Sequence, residues 1–199
     1  QAAVDIPVTV KHRIGIDDFD SYEFMVDFVE KVAAAGCTRF IVHARTAWLQ
    51  GLSPKQNREI PPLRYDDVYR LKQDFPALDI EINGGIETVA DIKAHLQHID
   101  GVMIGRAFYH NPYLLAEANS LWGEPIPKRS DILAKLYPYL EEQVAKGEAL
   151  PTMTRHYLGL FQGLMGARKW RQALSGKPQL TIDDIKRAAE EVLALNPDA

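Results

Sequence analysis

Four short polar clusters hold the residues whose types and spacing could do chemistry: Lys11-His12-Arg13, His43-Ala44-Arg45, Asn83-Gly84-Gly85 and Gly105-Arg106. They are cationic, neutral-polar or glycine-rich, and none brings a carboxylate. That set suits an anion site better than a metal site. In Asn83-Gly84-Gly85-Ile86, two glycines let the backbone approach a ligand closely, and a helix opening there would offer free N–H groups to a phosphate. Gly105-Arg106 repeats the arrangement about 20 residues later. Each glycine taken alone reads equally well as a tight turn; the pairing favours the phosphate reading. Lys11 and Arg13 alternate along a strand, so they share one face. His43 taken alone is a structural histidine at the end of an apolar strand, and its companions turn it toward a ligand. Cys37 reads as structural.

These clusters need elements that bring them to one place. Short β-branched or apolar runs predict strands at residues 8–11, 39–43, 79–83 and 101–105. Between and after them, helical spacing predicts helices at 22–35, 65–75, 88–97 and, largely, 106–119. The first has Ser21 or Asp20 as N-cap and Gly36 as its stop. Its apolar face is Phe24, Met25, Phe28, Val29 and Val32. A β-α-β-α alternation implies a parallel sheet covered by helices, either an open doubly wound sheet or part of a (β/α) barrel. In both, ligands sit at the carboxyl ends of the strands, where the four clusters fall. Cys37 falls at the opposite end.

A glycine and two prolines between 121 and 130 mark a boundary. The expected domains are residues 1–120, α/β, and 130–199, all helical. In the second, helices are predicted at 131–146 with a kink at Pro138, at 154–162, at 167–174 after Gly166, and at 181–195 with Asp183 and Asp184 at its start.

Composition narrows the classes. Of 199 residues, 46% are hydrophobic and 25% charged, which is ordinary for a soluble globular chain able to bury a core. The net charge of -4 gives no global sign of a polyanion partner. A single cysteine excludes an intrachain disulfide or a multi-cysteine metal site and fits a reducing, cytoplasmic setting. No apolar run is long enough for a membrane span, and residues 1–7 lack a signal-peptide pattern. The charge is unevenly spread. Residues 150–180 carry Arg155, Arg168, Lys169, Arg171 and Lys177 and no acid. Arg168 and Arg171 share a helix face, and Trp170 and His156 add stacking capacity, as an RNA backbone would require. A solvated helix face is the plainer alternative. A second acid-free stretch, 31–58, supplies Arg45, Lys55 and Arg58 near the strand ends.

Longer strings carry a family resemblance: PVTVKHRIGID (7–17), IVHARTAWLQGLSPKQNREIPPL (41–63), INGGI (82–86), HLQHIDGVMIGRAFYHNP (95–112) and TRHYLGLFQGLMGARKWRQAL (154–174). Together they resemble the tRNA-dihydrouridine synthases, most closely their A subfamily, over nearly the whole chain. The resemblance implies a (β/α)8 barrel holding FMN, followed by a helical tRNA-binding domain. It implies FMN binding by Lys11, His43, Asn83, Gly84, Gly85, Gly105 and Arg106, with NADPH as reductant. It places Lys11, Arg13 and His43 toward the uracil, and Arg45, Lys55, Arg58, Arg168 and Arg171 toward tRNA. The implied reaction is reduction of uridine to 5,6-dihydrouridine in the tRNA D-loop.

The family's catalytic cysteine lies on earlier strands. The chain is accordingly expected to be a C-terminal fragment, with half of the barrel and no catalytic residue, and to be inactive alone. Two other readings stand beside this one: another FMN barrel acting on free pyrimidines, and a non-catalytic RNA-binding module.

Overall fold

The computed structural model describes residues 3–175 and 179–199. The chain divides into two compact units, Gln1–Ile104 and Gly105–Ala199.

The first unit is built on strands β1 (Val10–Arg13), β2 (Arg39–His43), β3 (Asp79–Asn83) and β4 (Gly101–Met103). All are parallel, in the order β1-β2-β3-β4. Helices α1 (Tyr22–Ala34), α2 (Tyr65–Asp74) and α3 (Val89–His95) connect them. A doubly wound sheet must reverse direction to bring helices to both faces. Here the strands advance one way, and right-handed crossovers then put every helix on the same face, as in a (β/α) barrel.

Alternation along the strands agrees. Phe40 and Val42 of β2 and Ile80 and Ile82 of β3 are fully buried, as are Val29 of α1 and Val68 and Leu71 of α2. The opposite face carries Lys11, Arg13, Ile41, His43, Glu81 and Asn83, none of them buried.

Local chemistry sets most boundaries. The Ser21 hydroxyl accepts from Phe24 N at 3.1 Å to open α1, and Gly36, at φ 99°, lets the chain leave it. Thr88 and Asp91 form a capping box on α3.

Three expectations shift here. β1 begins two residues later than expected, so Lys11 and Arg13 lie within the ladder, opposite Ile41 and His43. β4 stops at Met103. Phe24 and Phe28 are exposed, because β1 is an edge of the sheet and, among the described residues, no further strand extends it beyond α1.

Burial holds His12 and His95 below the ordinary histidine pKa of 6.5. A depressed folded-state value means that the unfolded chain takes up more protons below pH 6.5. Stability is therefore full above that pH and declines as pH falls through it. The urea midpoint of this unit is expected to be lower at about pH 5 than at about pH 7.5. A midpoint unchanged between the two would refute the burial of both imidazoles.

All regular elements of the second unit, among the described residues, are helical: α4 (Arg106–His110), α5 (Tyr113–Glu117), α6 (Arg129–Ala145), α7 (Leu150–Thr154), α8 (Ala167–Leu174) and α9 (Ile182–Leu195), with a 3-10 turn at Ala118–Trp122. The single helix expected over 106–119 is broken at Pro112, which lacks an N–H and holds Asn111 out of the helical region. Helix α6 runs through Pro138.

The helix expected at 154–162 is not formed. Residues 155–166 instead make consecutive tight turns, with His156, Leu160, Gln162 and Leu164 each bonded to the carbonyl three residues back. The reason is packing at Gly159, where a Cβ would lie 1.8 Å from the His110 carbonyl oxygen. The chain is docked on backbone there. Around it, Leu133, Leu140, Leu160, Phe161, Trp170, Ile185 and Val192 form the core.

Candidate functional site

Register lines up three of the sequence-derived residues. Arg13 sits opposite His43, and His43 opposite Asn83, a transverse row at the carboxyl end of the sheet. One pleat back, on the same face, Lys11 donates from Nζ to Asn83 Oδ1 at 3.0 Å. The Asn83 Nδ2 donates to the Met103 carbonyl at 2.8 Å. The two bonds fix the amide's orientation and aim the lysine along the row. Burial, and then the Arg13 charge, lower the Lys11 pKa. The lysine itself remains exposed, with its ammonium held by Asn83 Oδ1.

Beside this row, Gly84 and Gly85 turn the chain at φ 120° and 68°. Both values belong to the left-handed half of the map that favours glycine. A Cβ on Gly84 would lie 3.0 Å from Leu63 Cδ2 and 3.3 Å from His43 Nε2; one on Gly85 would lie 2.6 Å from Leu63 Cδ1. Side chains thus pack one side of the loop. Among the described residues, no backbone hydrogen bond from the N–H groups of Gly85 and Ile86 is formed outside the helices and strands. Successive unpaired N–H groups in such a turn form an anion-binding concavity.

At the start of α3, Asp91 accepts from the N–H groups of Glu87 and Thr88, so these two donors are already engaged.

A cationic loop joins β2 to α2. Arg13 Nη1 donates to the carbonyls of Thr46 (2.9 Å) and Asn57 (3.0 Å), tying the loop's two arms to the sheet. Asn57 closes it further, accepting from Trp48 N at 2.8 Å and donating to Trp48 O. Arg45 Nη1 donates to the carbonyls of Glu59 and Pro61. Burial, then the charges of Arg45 and Arg58, lower the Arg13 pKa. Three guanidinium groups thus influence one another here, with Glu59 on the same loop. Lys55 and Arg58 are exposed on the same loop. Asn57, Leu63 and Tyr65 support the site and were not singled out from the sequence. Their partners lie 9 to 44 residues away, so no local pattern marks them.

In the second unit, Gly105 precedes α4, and Arg106 is its exposed first residue. Helix α8 buries Ala167, Trp170 and Leu174 and exposes Arg168, Lys169 and Arg171. Trp170 is 1% exposed, with Phe161 edge-on at 4.9 Å. The stacking role expected for it is therefore corrected to a core role. His156 remains exposed, hydrogen-bonded to Tyr109 and Arg155. Lys177 lies outside the described residues.

Cys37 is buried at the amino end of β2, its thiol 3.3 Å from the Arg39 carbonyl. Among the described residues no group of three or more His, Cys, Asp or Glu could hold a metal ion, and no helix is long and apolar enough to cross a membrane.

The chain is similar to known proteins over most of its length. The dihydrouridine synthase (Dus) family matches residues 1–192. The tRNA-dihydrouridine(20/20a) synthase of Vibrio parahaemolyticus is 59% identical over 176 residues, covering 86% of this chain and 54% of the relative. That of Vibrio cholerae is 52% identical over 199 residues, covering 96% and 61%. The Synechocystis protein of the same name is 58% identical over 178 residues, covering 88% and 53%. The chain thus spans between half and two thirds of the length of these relatives. With a family match running almost end to end over the strands, the glycine loop and the helical unit, the chain belongs to the dihydrouridine synthase family.

Proposed function

We propose that the chain serves flavin-dependent reduction of uridine to 5,6-dihydrouridine in the D-loop of tRNA, at the positions 20 and 20a that its relatives' names carry. The observation that carries this reading is the glycine loop. The N–H groups of Gly85 and Ile86, in the turn that follows Asn83, make no backbone hydrogen bond outside the helices and strands among the described residues, and Asn83 itself is held by Lys11. Such a loop fits a phosphate monoester. The face beside it, with His43 in the terminal row and Lys11 and Glu81 in the row behind, fits the ring system of FMN.

Asn83, Gly84 and Gly85 would hold the FMN phosphate, and Gly105 and Arg106 are FMN-binding residues in the same reading. Lys11 and His43 would lie along the ring and, with Arg13, toward the uracil. When bound, FMN supplies the hydride, with NADPH as the reductant. The protein's part is orientation and charge. Lys11 offers a fixed cation to a carbonyl that gains negative charge. Arg13 holds the β2–α2 loop while its Nε and Nη2 remain available to a ligand. A uracil must leave its stack to reach such a face. Arg45, Lys55 and Arg58 would receive the tRNA backbone near the strand ends, and Arg168 and Arg171 on α8 would receive it elsewhere. In this reading residues 1–120 correspond to barrel and 130–199 to the tRNA-binding domain, in a cytoplasmic protein.

The test is a visible spectrum of the purified full-length protein, followed by a dihydrouridine assay on unmodified tRNA with NADPH. A yellow protein that modifies tRNA supports the reading. A yellow protein that reduces only free pyrimidines overturns it, as does a colourless one.

Charge removal on α8 gives a second check. Replacing both Arg168 and Arg171 by alanine is expected to weaken tRNA binding by roughly tenfold or more and to reduce the slope of log K against log salt by about 2. Flavin content should not change. An unaltered slope would mean that these arginines do not meet phosphates.

A further inference from the structure

Tyr65 has no part in the reading above, yet its side chain is hydrogen-bonded to the backbone of the glycine loop. Its hydroxyl donates to the Gly84 carbonyl at 2.7 Å. The same oxygen would be 3.0 Å from a Cβ on Gly85, so it rests directly against the turn.

The tyrosine is itself held. It is the first residue of α2, and its ring meets His95 edge-on at 4.5 Å. His95 is buried, and its Nδ1 is bonded to the Tyr69 hydroxyl at 2.7 Å. Burial raises the Tyr65 pKa, so its hydroxyl stays protonated, a donor, at neutral pH.

The bond matters because of peptide geometry. The Gly84–Gly85 peptide is planar and trans, so its C=O and N–H point in opposite directions. A donor that fixes the carbonyl on one side fixes the Gly85 N–H on the other. Glycine pairs have no side chains to resist rotation of that plane. Leu63 fills space on the packed side but makes no polar bond there.

We propose that Tyr65 is a positioning residue for phosphate binding: by holding the Gly84 carbonyl it presents the Gly85 N–H to the terminal phosphate of a flavin mononucleotide. This rests on the flavin reading above and assigns that site its orienting residue. Tyr65 does not touch the reacting atoms.

The test compares FMN with riboflavin, which lacks the phosphate. Dissociation constants for both are measured by flavin fluorescence on the full-length protein, for the wild type, Tyr65→Phe and Leu63→Val. The wild type is expected to prefer FMN. Tyr65→Phe keeps the ring on His95 and loses only the hydroxyl. It is expected to cut the FMN-to-riboflavin preference by about tenfold, with riboflavin affinity and the melting temperature close to wild type. Leu63→Val, which thins the packing on the same glycines but leaves the hydroxyl, is expected to keep the preference.

A preference undiminished in Tyr65→Phe overturns the role of Tyr65 and leaves the phosphate loop standing. Equal losses for both flavins, or a preference lost in Leu63→Val as well, reduce Tyr65 to packing and also overturn it. A wild type that binds riboflavin as well as FMN overturns the phosphate reading itself, and the role of Tyr65 with it.

Discussion

Gly159→Ala is expected to destabilise the helical unit by about 3 kcal/mol, among the larger effects of a single substitution. The glycine is not needed for a left-handed turn. It is needed because the added carbon would lie 1.8 Å from the His110 carbonyl oxygen and 2.7 Å from its carbon. Both are backbone atoms and neither can rotate away. Relief requires the segment 155–166 to lift, and that segment carries Leu160 and Phe161 into the core. It also carries the Leu160 carbonyl, which accepts from Nε of the buried Arg129 at 2.8 Å. Lifting it would strand a buried guanidinium, which is costly in itself.

Urea unfolding followed by tryptophan fluorescence measures the cost, since Trp170 is buried in this core. Gly163→Ala is the control. Gly163 has φ 82° but nothing within 4 Å of its would-be Cβ, so only the backbone term applies, about 1 kcal/mol. If Gly159→Ala costs no more than Gly163→Ala, the close approach to His110 does not exist in solution.

This close approach also shows where sequence reasoning stops. Helices with local punctuation are legible. Ser21 and Gly36 bound α1, and Gly166, at φ 87°, opens α8 where it was expected. Strand β2 is legible from its Phe40-Ile41-Val42 run, and β3 from Ile80 and Ile82 alternating with Asp79, Glu81 and Asn83. Residues 154–162 have helical apolar spacing as well, but a backbone meeting some 50 residues away in sequence decides their shape, and periodicity carries no trace of it.

Trp170 failed for a different reason. Its neighbours Arg168, Lys169 and Arg171 made the whole segment read as basic and aromatic. Yet Ala167, Trp170 and Leu174 stand at helical spacing on one face, so its burial was readable from the same residues. At the candidate site, residue types pointed to the strand ends. What organises those ends is long-range: Arg13 reaches Thr46 and Asn57, 33 and 44 residues on, and Tyr65 reaches Gly84, 19 residues on.

Gly84→Ala is expected to abolish flavin retention while leaving the protein folded. At φ 120° the residue lies outside the small left-handed basin that other residues tolerate, and holding alanine there costs on the order of 1–3 kcal/mol. Space adds to this, because the methyl would meet Leu63 Cδ2 at 3.0 Å and His43 Nε2 at 3.3 Å. The strain has an easy exit: the loop can change its dihedral angles without disturbing the sheet, whose ladder ends at Asn83. The same change breaks the Tyr65 bond to the Gly84 carbonyl and turns the N–H groups of Gly84 and Gly85 out of line. The expected result is a protein with a melting temperature within a few degrees of wild type and little or no flavin absorbance after purification. Gly85→Ala separates the two causes. Its φ of 68° is one that alanine can adopt at about 1 kcal/mol, and its closest neighbour, Leu63 Cδ1 at 2.6 Å, is the end of a flexible side chain. Gly85→Ala should therefore retain part of the flavin that Gly84→Ala loses. If both variants hold flavin like wild type, the loop is a turn and no more. If Gly85→Ala is the worse of the two, crowding beside Leu63 and Tyr65, rather than the backbone dihedral at Gly84, is what the site cannot tolerate.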